Sequence, residues 1–162
     1  MCNDLREGLG NAAVSLRDMV PEAATVIAAA GGCRCRQVRY LCRAAPVAVT
    51  LCYCRDCQSW SGGPCGNFAI IPADAMTLTG ATKVFTAPCD SGRIMHREFC
   101  PSCGSPLFAR TPHLLAVAVA SFDDPSPFRP TMAIWMDRAP TWVLLPDDVA
   151  RYPGNPPLSS GA

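Results

Sequence analysis

Residues 31–57 read GGCRCRQVRYLCRAAPVAVTLCYCRDC. Two cysteine groups stand in this stretch, Cys33-x-Cys35 and Cys52-x-Cys54-x-x-Cys57, and a third follows in FCPSCGSPL at 99–107 as Cys100-x-x-Cys103. In a strand, residues i and i+2 project from the same face, so each C-x-C pair can meet one metal ion from a single strand end. A C-x-x-C turn brings two sulfurs to one ion, and Gly104 directly after Cys103 supplies the flexible position such a turn favours. These seven thiols predict metal ligation.

A structural zinc takes four protein ligands, whereas a catalytic zinc takes three and keeps a position open. Seven thiols divide as four plus three. The simplest partition joins Cys33, Cys35, Cys100 and Cys103 in a closed site, leaving Cys52, Cys54 and Cys57 for a second, open one. A zinc-ribbon partition of 54/57 with 100/103 fits poorly, because 42 residues lie between Cys57 and Cys100 against about 15–20 in the ribbon pattern. A redox role for Cys100 and Cys103 lacks its usual βαβ context. Cys42, Cys65 and Cys89 stand alone and read as small buried hydrophobes, and Cys2 as an incidental thiol. Cys65, close after the 52–57 group, is the one placed to approach the second site. His96 and His113 lie far from any C-x-x-C spacing and read as surface or satisfied residues.

The rest of the composition narrows the class. At 162 residues and 17.2 kDa the length matches one domain. With 49% hydrophobic and 17% charged residues, disorder driven by charge is excluded. The longest apolar run, Leu114–Ala120, falls short of the roughly 18–20 residues of a membrane helix. A net charge of +1 gives no electrostatic case for nucleic acid or a membrane surface. Eleven cysteines raise the question of export. Asp4, Glu7, Asp18 and Glu22 crowd the N-terminus, and its best apolar stretch, Val26–Ala30, is too short for a signal sequence. The run IAAAGGC at 27–33 lacks the basic flank of a lipoprotein signal, and an odd cysteine count sits badly with complete pairing. The expectation is a reducing, cytoplasmic setting.

Residues 1–25 form an extension in which Leu5, Leu9, Val14 and Leu16 show weak helical spacing before Pro21, predicting a peripheral or frayed helix. Beyond it, strands are predicted at Arg36–Leu41, Val47–Cys52, Gly66–Ile71, Met76–Thr79, Lys83–Thr86, His96–Phe99, Pro106–Ala109, Leu114–Ala120 and Thr131–Ile134. Gly-Gly, Gly-Pro, Ser-Gly and Asp-Asp-Pro breakers separate them, and 16 prolines leave little room for long helices. The pattern predicts a mainly β assembly of short strands. The run Arg151–Ala162 reads as a Pro/Gly/Ser segment that does not pack.

Gly31-Gly32-Cys33-x-Cys35 with Val38-Arg39-Tyr40, Cys52-x-Cys54-Arg55-x-Cys57-Gln58 with Ser61-Gly62, and Phe99-Cys100-x-x-Cys103-Gly104-x-Pro106-Leu107 together resemble the glutathione-dependent formaldehyde-activating enzyme (GFA) family, also called the centromere protein V/GFA domain. Ser121–Pro125, Ile134-Trp135 and Arg151–Gly154 extend the likeness over residues 26–154, with 155–162 as a flexible tail. The resemblance implies a zinc-stabilised beta-tent fold of short antiparallel sheets. It assigns Cys33, Cys35, Cys100 and Cys103 to a structural zinc and Cys52, Cys54 and Cys57 to a catalytic one. It further implies a carbon–sulfur lyase that adds a thiol, glutathione in the named activity, to formaldehyde or a related aldehyde, or runs the reverse. The partners would be a small-molecule thiol and an aldehyde.

Two positions depart from the family pattern: Arg36, where glycine is usual, and Ala133-Ile134 before Trp135, where a histidine is frequent. Between Cys33 and Cys57, arginines 34, 36, 39, 43 and 55 face only Asp56. They match the carboxylates of glutathione, or else are solvent-facing strand residues. Trp60, Phe68 and Trp135 read as pocket wall or as core. A rival function is a non-catalytic zinc-binding interaction module whose second site is closed by Cys65. A third is thiol redox catalysis through Cys89 or Cys65.

Overall fold

The computed structural model describes residues 28–89 and 92–157. The helix expected within residues 1–25 and the end of the tail, 158–162, lie outside the described residues. The described chain is mainly β, as the short punctuated runs predict. A small sheet pairs β1 (Ala29–Gly32), β2 (Arg39–Cys42) and β5 (Met76–Thr79), both contacts antiparallel. A larger, eight-stranded sheet has the order β11-β10-β3-β4-β9-β8-β7-β6. Its strands are β3 (Ala48–Cys52), β4 (Gly66–Pro72), β6 (Lys83–Pro88), β7 (Ile94–Phe99), β8 (Pro106–Arg110), β9 (Leu114–Ala118), β10 (Met132–Ile134) and β11 (Ala150–Arg151). The sheets are short and mostly antiparallel, as expected, and β10 alone runs parallel to its neighbours β3 and β11 among the described strands.

Apolar burial sets this arrangement. The small sheet lies on the large one through a core that includes Val38, Tyr40 and Cys42 on one side and Val49, Ile71, Leu107, Phe108, Leu115 and Val117 on the other. Phe122 closes the core, edge-on to Tyr40 (5.5 Å between ring centroids, 87°) and stacked on Phe128 at 4.1 Å. The Tyr40 hydroxyl is anchored to Ser121 Oγ at 2.6 Å, and Ser121 donates in turn to the Ala118 carbonyl at 2.7 Å. Burial raises the Tyr40 pKa well above its usual value, so the hydroxyl stays a donor.

One short helix, α1 (Arg55–Ser61), interrupts the β pattern between β3 and β4. Cys54 is its N-cap, in extended conformation, and Gly62 ends it at φ +68° with its N–H on the Gln58 carbonyl. At seven residues it is too short to show a helical repeat in the sequence. The run from Arg151 also differs from expectation, because its first residues pack. Tyr152 N–H donates to the Ala133 carbonyl, Trp135 N–H to the Gly154 carbonyl, and the Trp135 indole to Asn155 Oδ1 at 3.0 Å. Its prolines and glycine suit a chain that must pair with irregular backbone around Trp135, whose φ is +59°.

Candidate metal centre

The seven thiols gather into two groups. Cys33 opens the tight turn after β1, closed by Cys33 N–H to the Val38 carbonyl and Arg36 N–H to the Cys33 carbonyl, each at 3.0 Å. Cys100 follows β7, and its turn is closed by Gly104 N–H on the Cys100 carbonyl at 3.0 Å. Gly104 sits at φ +73°, a conformation that glycine adopts without strain. The sulfurs of Cys33, Cys35, Cys100 and Cys103 then lie within 4.8 Å of one another. Cys33 and Cys35 are 3.4 Å apart, and Cys35 and Cys100 3.6 Å. A tetrahedral zinc with bonds of about 2.3 Å separates its sulfurs by about 3.8 Å, so this spacing fits zinc.

Backbone and side-chain donors support the group. Val38 N–H reaches Cys33 Sγ at 3.2 Å, and the Ser105 hydroxyl lies 3.2 Å from Cys103 Sγ while accepting from Arg34 N–H. The Ser105 hydroxyl and N–H draw the Cys103 thiol down to about 5. Ser102 donates to Gln37, so the two turns are tied to each other as well as to a shared centre.

The second group comprises Cys52 at the end of β3, Cys54 at the helix cap and Cys57 within α1, again within 4.8 Å. Cys52 and Cys54 Sγ are 3.5 Å apart, and Cys57 N–H donates to Cys54 Sγ at 3.4 Å. Hydrogen bonds from Cys52 and Cys57 draw the Cys54 thiol far below its usual range, helped by the Cys57 N–H and the Arg97 guanidinium. The hydrogen bond with Cys54 in turn pushes Cys52 up to about 12, and hydrogen bonds with Cys52 and Cys54 together raise Cys57. Gln58 fastens the helix by donating to the Tyr53 carbonyl at 2.7 Å and the Arg138 carbonyl at 3.1 Å.

Among the described residues no histidine, carboxylate or further cysteine joins either group. Cys65 stays outside the three sulfurs, its thiol raised by burial and near the Tyr53 hydroxyl. His96 instead shares a hydrogen bond with Thr86 at 2.9 Å. Cys100 and Cys103 side with 33/35, which removes the zinc-ribbon partition. No disulfide links the described cysteines.

A cleft of about 730 Å³ reaches the first group and the residues packed around the second. It touches Cys33 on one side, and on the other Trp60, Gly66 and Phe68, which pack around the three-sulfur group. Trp60 and Phe68 stack at 5.5 Å, so these two rings are both wall and core, while Trp135 packs on the three-sulfur group away from the cleft. Of the arginines, 34, 36 and 39 line the cleft and 43 and 55 do not. Two residues that sequence reasoning missed belong here. Asn67 lines the cleft with a buried, unpartnered Oδ1, and Arg97 of β7, nearly buried, reaches across to Asp56 of α1. Neither carries a spacing signal.

A mainly β domain that clusters four and three thiols is a candidate thiolate metal protein, with donor sets consistent with zinc. Residues 28–138 match the family described as glutathione-dependent formaldehyde-activating enzyme, and the chain belongs to that family. No curated protein matches the chain. No helix among the described residues is long and apolar enough to cross a membrane.

Proposed function

We propose that this protein is a zinc-dependent carbon–sulfur lyase that joins a thiol, glutathione or a similar one, to formaldehyde or a related aldehyde, or splits the adduct. The supporting observation is the unequal pair of thiol groups, four and three, in one domain of this family, with a cleft that touches Cys33 and the residues packed on the three-sulfur group. In this reading Cys33, Cys35, Cys100 and Cys103 hold a structural zinc, and Cys52, Cys54 and Cys57 hold a second zinc in a domain spanning 26–154 of a cytoplasmic protein.

Zinc bound by three thiolates supplies a place where a substrate thiol ionises at neutral pH. The protein residues do the rest. Cys54 already carries a thiolate, so the group is partly prepared to bind a cation. Trp60, Phe68 and Trp135 pack round the three sulfurs and limit water there. The reaction balances simply. The sulfur–hydrogen bond of the thiol breaks, a sulfur–carbon bond forms at the aldehyde carbon, and the proton ends on the former carbonyl oxygen.

The test is formaldehyde–glutathione exchange followed by NMR with zinc-loaded protein. Exchange above the uncatalysed background supports the lyase, and no excess rate excludes it for this pair. The rival interaction-module reading draws on Val84, Phe85 and Ile94, exposed on the β6–β7 hairpin, and gains if exchange is absent.

A further inference from the structure

Strand β6 ends the eight-stranded sheet, with β7 as its only strand neighbour. Five of its six residues are exposed, among them Val84 at 50% and Phe85 at 57%. Ile94 of β7 adds a third exposed apolar side chain beside them. An open edge of this kind recruits another strand unless charges, bulges or a covering element protect it. β6 carries one charge, Lys83, at its first residue and a proline at its last. Among the described residues, no backbone group outside β7 bonds to it.

The register fixes which backbone groups point outward. Cys89 N–H donates to the Arg93 carbonyl at 2.9 Å, in line with the Ala87–Met95 and Phe85–Arg97 pairs. Hydrogen-bonded and non-hydrogen-bonded pairs alternate along an antiparallel ladder. Lys83, Phe85 and Ala87 therefore bond to β7, while Val84, Thr86 and Pro88 turn their backbone groups to the open edge. Two N–H groups, of Val84 and Thr86, are on offer there, each with its carbonyl.

We infer that this chain forms a homodimer in which β6 pairs with β6 of a second copy, antiparallel across a two-fold axis at Phe85. In this register Val84 bonds to Thr86 of the second copy, and Thr86 to its Val84, through both N–H and C=O. Phe85 meets Phe85 between these pairs, at the close non-hydrogen-bonded position where cross-strand aromatic contacts stabilise most. Lys83 falls opposite Ala87, so no like charges meet. The edge thus complements itself, which is what a two-fold interface requires. The other end of the sheet, β11, is two residues long and cannot extend the pairing head to tail, so association closes at two. The inference is independent of the proposed lyase, and it accounts for the exposed hairpin residues without a second protein.

Sedimentation equilibrium of the zinc-loaded full chain over about 1–300 μM tests it. One short strand pair makes a small interface, so a monomer–dimer equilibrium with a dissociation constant on the order of 10–100 μM is expected. Thr86→Pro removes an outward N–H that the β6–β7 ladder does not use, a change that edge strands tolerate. It should keep the wild-type circular dichroism and weaken the dimer about tenfold or more, as for loss of paired strand hydrogen bonds. Thr86→Val loses the hydroxyl contact to His96 but keeps the N–H, and should dimerise like wild type. Phe85→Ser, at an exposed side chain, should weaken the dimer about tenfold and decides the matter if the proline variant does not fold. A dimer that withstands Phe85→Ser, or one lost equally in Thr86→Val, would overturn the inference. A monomer throughout the range would also overturn it and leave the edge to a strand of a different protein.

Discussion

Cys35 Sγ lies 3.6 Å from Cys100 Sγ, although 65 positions separate them along the chain. The contact ties the turn after β1 to the turn after β7, and so the small sheet to the far half of the large one. Structural zinc in a site of this kind is worth roughly 10–16 kcal/mol of apparent binding energy, comparable with the whole stability of a domain, about 5–15 kcal/mol. Cys100→Ser is therefore expected to abolish the folded state at 25 °C, seen as loss of the β signal in circular dichroism. A cooperative transition retained near the wild-type midpoint would contradict a structural role.

The second group predicts a proton count. Before metal binds, Cys54 is ionised at pH 7 while Cys52 and Cys57 keep their protons. Binding through three thiolates then releases two protons. Affinity should rise about a hundredfold per pH unit near neutrality and be lost as pH falls. Zinc titration of the Cys100-intact, singly loaded protein in a pH-stat measures the release, and a count of zero or one would count against three-thiolate binding.

Arg97 is a positioning residue for the same group. Its Nη2 lies 3.9 Å from Asp56 Oδ1, with its side chain only 7% exposed, and its charge favours the Cys54 thiolate. Arg97→Met should cost about 1–3 kcal/mol, less than for a fully buried pair because Asp56 is partly solvated. It should also speed chelator removal of the second metal while leaving the first in place. Equal acceleration at both sites would point to general loosening instead.

Gly66 leaves no room for a side chain. A Cβ there would come 2.3 Å from the Phe68 ring and 3.3 Å from Cys57 Cβ. Gly66→Ala should destabilise by about 1–3 kcal/mol through overpacking, displacing Phe68 and Cys57 and weakening the second metal more than the first. Unchanged metal affinity by competition titration would show that the three-sulfur geometry tolerates the shift.

Much of this fold is legible in the chain, because its signals are local. Each predicted strand overlaps an observed one, and the 33/35 and 100/103 spacings already group four thiols against three. The predicted strand Arg36–Leu41 starts late, at Arg39, because the turn hydrogen bonds of Cys33, Arg36 and Val38 consume the residues before it. Strand β1, Ala-Ala-Gly-Gly, has no β-branched residue to announce it, and β11 is only two residues long. The parallel placement of β10 is a long-range choice with no sequence mark. Asn67 and Arg97 were missed for the same reason: an orphaned acceptor and a charge that crosses to another element exist only after the sheets have packed.

Metal content by mass spectrometry, on wild type, Cys57→Ser and a chelator-treated sample, bears most directly on the four-plus-three account. It predicts two zinc ions per wild-type chain, one of them lost readily to chelator, and a single retained ion in folded Cys57→Ser. One tightly held ion in wild type, or two in Cys57→Ser, would contradict it.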